Sequence, residues 1–178
     1  MYWMLQSEIS EAAIKETVIK RESKDPSNIN IESLFGLRIF HSNSPEETYL
    51  LGRQLGEKCR SGQVYTLTGD LGVGKTLFTQ GFAAGLEISE PVSSPTFTIL
   101  QVYDSGRLPF YHFDVYRIGD VEEMEEIGWE DCIYGQGVCI VEWAELIEEI
   151  LPEHRIRILI EKDLKQGYDY RRITLEEL

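Results

Sequence analysis

Residues 69–76 read Gly69-Asp70-Leu71-Gly72-Val73-Gly74-Lys75-Thr76, filling every fixed position of the pattern G-x-x-x-x-G-K-[ST]. Upstream, Val64-Tyr65-Thr66-Leu67-Thr68 is a β-rich run, and downstream Lys75 to about Leu86 carries Phe78, Phe82 and Leu86 at helical spacing. Strand, glycine-rich turn and helix in that order make an anion cradle. The glycines let the backbone approach a phosphate, loop amides converge on it, and the positive end of the helix dipole adds to them. Lys75 then reaches the β and γ phosphates of a nucleotide, and the Thr76 hydroxyl takes a Mg²⁺ position. A mere glycine-rich turn with an exposed lysine is the alternative. Four fixed positions arise by chance on the order of once in a hundred chains of this length, or less often. The stretch Gly69 to Thr76 is therefore expected to bind a nucleotide.

A phosphate cradle of this kind needs a carboxylate at the end of a neighbouring strand, for the Mg²⁺ water shell or the attacking water. Two runs supply one. Phe110-Tyr111-His112-Phe113-Asp114 ends in Asp114, and Val138-Cys139-Ile140-Val141-Glu142, apolar up to its last residue and bounded by glycine, ends in Glu142. The second reads as a strand buried on both faces beside the P-loop strand. Glu142 is accordingly expected on the metal side, and Asp114 at the hydrolytic water or in the outer surroundings of the metal; exchange of the two roles stays open. Catalysis is thus expected from Lys75, Asp114 and Glu142, with Thr76, Glu142 and Asp114 toward Mg²⁺. Arg117 either meets charge developing on the γ phosphate or pairs with Asp114. Ser93-Ser94-Pro95-Thr96 lies where nucleotide-sensing loops sit, with Thr96 the candidate sensor.

The rest of the chain supports an α/β fold. Leu37 to Phe40 reads as a strand, and Ser44-Pro45-Glu46-Glu47 as a helix start in which Ser44 caps, Pro45 takes the first position and Glu47 closes a capping box. Leu51, Leu55 and Cys59 make its apolar stripe. Thr96 to Tyr103 and Pro109 to Asp114 read as a hairpin. Asp120-Val121-Glu122-Glu123 opens a short acidic helix closed by Gly128, and Ala144 to Ile150 reads as a helix stopped by Pro152. Arg155 to Glu161 and Tyr170 to Leu175 form a last hairpin. The expected architecture is a P-loop NTPase with a mostly parallel central sheet flanked by helices, plus antiparallel hairpin strands. Residues 37–178 make this domain. Residues 1–36 read as an arm, with an amphipathic helix over about Ser7 to Arg21 and a polar linker after it.

Composition narrows the function. The 178 residues hold 17 Lys and Arg against 31 Asp and Glu, a net charge of −14, which repels nucleic-acid backbones at long range. A protein that coats nucleic acid is disfavoured, and a nucleotide must be bound through a local site. Cys59, Cys132 and Cys139 have no CxxC spacing, and Met1 to Glu8 shows no basic start followed by an apolar run. A cytoplasmic protein with no membrane span is expected. There is no [NT]-K-x-D motif for guanine, so ATP is favoured. No arginine-rich lid follows the P-loop, so hydrolysis is preferred to phosphoryl transfer by a small-molecule kinase; a nucleotide-dependent adaptor without essential hydrolysis is the other alternative.

Four linked motifs, Gly69 to Thr76, Ser94-Pro-Thr-Phe97, Tyr111-His-Phe-Asp-Val-Tyr-Arg117 and Val141-Glu-Trp-Ala144, resemble the bacterial TsaE (YjeE) ATPases over about Leu37 to Leu178. Those proteins serve the synthesis of N6-threonylcarbamoyladenosine at position 37 of tRNA. The resemblance implies a Mg²⁺-dependent ATPase, weak alone, acting with the TsaD and TsaB proteins, with tRNA met only indirectly. It also implies that Trp143 lies against the nucleotide or a partner. It brings Ser44 and an arginine of the last hairpin, Arg171 or Arg172, toward the nucleotide.

Overall fold

Hydrophobic pattern and turn chemistry assemble seven strands into one sheet. The computed structural model describes residues 36–178; the expected helix over Ser7 to Arg21 and its linker lie outside them. In chain order the elements are β1 (Arg38–Ser42), α1 (Pro45–Lys58), β2 (Val64–Thr68), α2 (Lys75–Gly85), β3 (Leu100–Tyr103), β4 (Phe110–Asp114), α3 (Glu123–Glu126), α4 (Trp129–Ile133), β5 (Val138–Glu142), a 3-10 helix (Ala144–Ile150), β6 (Ile156–Lys162) and β7 (Arg171–Glu177). The sheet order is β1-β7-β6-β2-β5-β4-β3. The four central strands β6, β2, β5 and β4 run parallel, and β3 and β7 are antiparallel to their neighbours. The expected architecture is thereby borne out, with β5 directly beside the P-loop strand β2.

Each face of the sheet carries its own core. Tyr65, Leu67, Ile140, Ile158 and Ile173 pack with Leu51, Leu55, Phe78 and Phe82 of α1 and α2. Val64, Phe113 and Val141 pack with Met124, Trp129, Ile133 and Ile147. Phe78 and Phe82 are fully buried, and burial of such a side chain contributes about 1.5–3 kcal/mol. The α2 helix is thus fixed on the sheet by the same residues whose spacing announces it, and the loop at its start inherits that position. The three cysteines are free, Cys59 and Cys139 being buried; burial pushes the Cys59 thiol up to about 11.

Four local expectations need correction. At the start of α1, Ser44 Oγ accepts from Glu47 N at 3.2 Å as expected, but the Glu47 carboxylate accepts from Asn43 N at 2.7 Å, not from the cap residue. The first strand of the expected hairpin starts at Leu100, not Thr96, because Thr98 N and Ile99 N both turn back to Pro95 O and Ile99 adopts φ 65°. The acidic helix expected to open at Asp120 narrows to Glu123–Glu126 before Gly128, and beyond Gly128, at φ 75°, an additional short helix, α4, follows that was not expected; burial of Met124, Trp129 and Ile133 draws both onto the sheet. Residues 144–150 are a 3-10 helix with non-helical backbone at the buried Ile147. The Leu146 N to Trp143 O bond there spans three residues, not four.

Candidate active site

The loop between β2 and α2 departs from β2 through Gly69 at φ 135°, where a β carbon would lie 2.2 Å from Ile160 O. Only glycine satisfies both the conformation and the close approach. Gly74, at φ 108°, caps α2 without a side chain, so the first-turn amides have no cap partner of their own and face outward for an anion. From this loop a cavity of about 450 Å³ opens at the ends of β4 and β5, lined by Lys75, Thr76, Thr96, Asp114, Glu142 and Trp143 among others. Six separate sequence expectations therefore meet in one place, at the carboxyl ends of parallel strands.

Lys75 Nζ donates to Gly69 O at 2.6 Å and Asp70 O at 3.1 Å, and stands 3.5 Å from the centre of the Trp143 ring. Only 5% of Lys75 is exposed. Burial pulls its ammonium below the usual lysine range, against the opposing pull of Glu142, Glu145, Asp114 and Asp70. Trp143 reaches this position through a left-handed backbone, φ 62°, anchored by Trp143 N donating to Leu67 O at 3.0 Å.

Asp114 and Glu142 are direct register partners on β4 and β5, each 2% exposed, yet they keep different company. Glu142 Oε2 accepts from Thr76 Oγ1 at 3.1 Å. Its Oε1 lies 3.2 Å from Thr79 Oγ1 and 2.9 Å from His112 Nε2. Asp114 Oδ2 accepts from the Ser94 hydroxyl and from Thr96 Oγ1 at 2.6 Å, and Oδ1 from Tyr116 N at 3.1 Å. One carboxylate is therefore tied to α2, the other to the loop after it.

The remaining residues divide. Thr96 and Trp143 line the cavity. Ser44 and Arg171 do not line it; Ser44 caps α1, and Arg171 Nε donates to Val73 O at 2.6 Å, holding the phosphate loop from behind. Asp114 and Arg117 form no ion pair. The Arg117 guanidinium lies over the Phe97 ring, 4.4 Å from its centre, at the rim of the cavity. Ser94, Thr79 and His112 were not expected as site residues. Thr79 follows Lys75 by four residues on one helix face, and His112 precedes Asp114 by two on one strand face, so both periodicities carried the signal.

A buried strand entering a glycine cradle, an invaginated lysine, and an adjacent parallel strand ending in a carboxylate place this chain among the P-loop NTPases in fold. Residues 42–173 match the family model described as Threonylcarbamoyl adenosine biosynthesis protein TsaE. The chain belongs to that family. It is 51% identical over 131 residues to the tRNA threonylcarbamoyladenosine biosynthesis protein TsaE of Bacillus subtilis (strain 168), covering 74% of this chain and 80% of the relative. To the protein of the same description from Treponema pallidum (strain Nichols) it is 45% identical over 117 residues, covering 66% and 86%. The crystal structure of Bacillus subtilis YdiB superposes with a TM-score of 0.67 at 42% identity, covering 79% of this chain and 85% of that one.

Proposed function

We propose that this chain binds ATP with Mg²⁺ in the cavity above the phosphate loop and hydrolyses it in support of threonylcarbamoyladenosine formation on tRNA, acting with TsaD and TsaB. The observation that carries this reading is the bond from Thr76 Oγ1 to Glu142 Oε2. It sets a hydroxyl and a carboxylate side by side at the phosphate end of the helix. Family membership supplies the biological setting.

The donor set suits Mg²⁺. Thr76, Glu142 and Asp114 offer hard oxygens, and among the described residues no group of three or more His, Cys, Asp and Glu is placed to hold an ion by itself. An ion sharing one or two carboxylates with substrate phosphates is the usual habit of Mg²⁺. When bound, the metal neutralises phosphate charge. In this assignment Gly69 to Thr76 supply backbone amides and Lys75 its ammonium to the β and γ phosphates. Thr76 and Glu142 hold the metal side, and Asp114 orients the attacking water. Thr96 ties the loop to Asp114, so loop position and water position are linked through a single carboxylate. That same link favours a second reading, in which ATP binding alone orders the loop and docks the protein.

Turnover of ATP by the purified full chain, alone and with TsaD and TsaB, tests both. Slow hydrolysis that rises several-fold with the partners is expected, and Lys75→Ala should lower kcat/KM by at least about a hundredfold. No rise with the partners counts against the proposal. A Glu142→Gln protein that sustains repeated modification cycles as well as wild type establishes the docking reading instead.

A further inference from the structure

His112 is fully buried in β4, two residues before Asp114 and on the same strand face. Its ring stacks on Phe110 with centroids 6.0 Å apart and planes inclined by 11°. Its cross-strand neighbours are Ile140 on β5 and Gln101 on β3. A phenylalanine or leucine would serve such a site as packing. Instead the ring turns Nε2 toward Glu142 Oε1 at 2.9 Å, while Nδ1 meets no protein partner. A carboxylate oxygen accepts, so Nε2 carries the proton in this contact.

Glu142 is then held from two directions. Thr76 and Thr79 approach from α2, and His112 approaches from β4. Rotation of the carboxylate plane about its last bond swings both oxygens off these partners. His112 opposes that rotation, because turning the carboxylate away strands a buried N–H. The effect is to keep one oxygen against the sheet and the other beside the Thr76 hydroxyl.

We infer that His112 is a positioning residue, which orients Glu142 so that Oε2 faces Thr76 and the phosphate end of the cavity. The inference rests on the proposed metal-side role of Glu142. His112 does not line the cavity, and it acts through one carboxylate, as the outer hydrogen-bond partners of metal ligands do.

The experiment uses the full chain as wild type, His112→Phe, His112→Gln, Glu142→Gln and the double variant His112→Phe with Glu142→Gln. Phenylalanine keeps the ring and removes the donor; glutamine restores an N–H at about the distance of Nε2. ATP turnover, nucleotide affinity without Mg²⁺ and thermal midpoint are measured for each. Nitrogen-15 spectra of the imidazole are recorded for wild type and Glu142→Gln. His112→Phe should lower kcat about tenfold or more, with less than about a twofold change in Mg²⁺-free affinity, since the phosphate loop is untouched. His112→Gln should recover most of the loss. On the Glu142→Gln background His112→Phe should cost less than about twofold more. An Nε2–H signal protected from solvent in wild type should shift in Glu142→Gln.

Wild-type turnover in His112→Phe beside a slow Glu142→Gln overturns the inference alone. So does a full extra loss in the double variant, which assigns His112 to packing. If His112→Phe fails to fold, a Glu142→Gln spectrum with an unchanged imidazole signal overturns it equally. Wild-type turnover in Glu142→Gln overturns the metal-side reading of Glu142 and the inference with it, while a shifted imidazole signal would still record the contact.

Discussion

Lys75 sits between two demands, charge for the phosphates of the proposed nucleotide and burial beneath Trp143. Burial depresses its ammonium, so between the lowered native value and the usual lysine value the unfolded chain binds more protons than the native one. Stability therefore rises with pH through that window, and below it the buried charge costs stability in full. Wild type should gain on Lys75→Met in urea midpoint between pH 7 and pH values near the usual lysine range; a difference that stays level or widens against wild type shows that burial does not govern Lys75. Gly69 makes the converse case, where backbone and not charge decides. Alanine there meets both φ 135° and Ile160 O at 2.2 Å, so Gly69→Ala should lose roughly 3 kcal/mol of unfolding free energy and nucleotide affinity with it. A loss below about 0.5 kcal/mol in urea titration contradicts this.

Helices α1 and α2 meet through four glycines. β carbons on Gly52 and Gly56 would lie 2.2 and 2.0 Å from Phe78 O and Phe82 O, and those on Gly81 and Gly85 would lie 2.0 and 2.1 Å from Tyr49 O and Arg53 O. Each helix thus presents two glycines four residues apart, and the backbones touch where other helix pairs hold side chains. In an exposed helix Gly→Ala stabilises by about 0.5–1 kcal/mol; here Gly56→Ala and Gly81→Ala should instead destabilise by about 1–3 kcal/mol, the usual range for overpacking. Urea midpoints above wild type in both variants would remove the close contact as a constraint on α2. The spacing was present in the sequence, but glycine at i and i+4 reads equally as weakness in a helix until a partner with the same spacing lies against it. Strands were legible wherever apolar alternation or a continuous apolar run was unbroken, as in β2, β5, β6 and β7. Thr96 to Ile99 was not, because its threonines and isoleucine favour a strand while Thr96 is bound to Asp114, a contact 18 residues away that no local pattern encodes. Glu142 and Lys75 could be found from position alone, whereas the company Glu142 keeps required the register of β4 on β5.

The whole molecule gathers its chemistry at one end of a parallel sheet and its charge elsewhere. Lys75 is buried beside two carboxylates, while Glu122, Glu123, Glu125 and Glu126 of the α3 region are exposed around the inward Met124. On the function proposed above, the net charge of −14 therefore does not oppose a nucleotide, which would meet amides, Lys75 and a divalent ion within a few ångströms. A tRNA backbone, by contrast, meets the outer surface, where screening acts over about 8 Å at physiological salt and the chain's 31 Asp and Glu outweigh its 17 Lys and Arg. If threonylcarbamoyladenosine formation on tRNA is the process served, contact with the tRNA falls to the partner proteins. The full chain alone should accordingly bind tRNA with a Kd weaker than about 10⁻⁴ M at physiological salt, the weak end of non-specific binding by basic proteins. Fluorescence anisotropy of labelled tRNA, with and without ATP and Mg²⁺, measures it. Low-micromolar binding that falls steeply with added salt would contradict this and would give the chain a direct part in holding the tRNA.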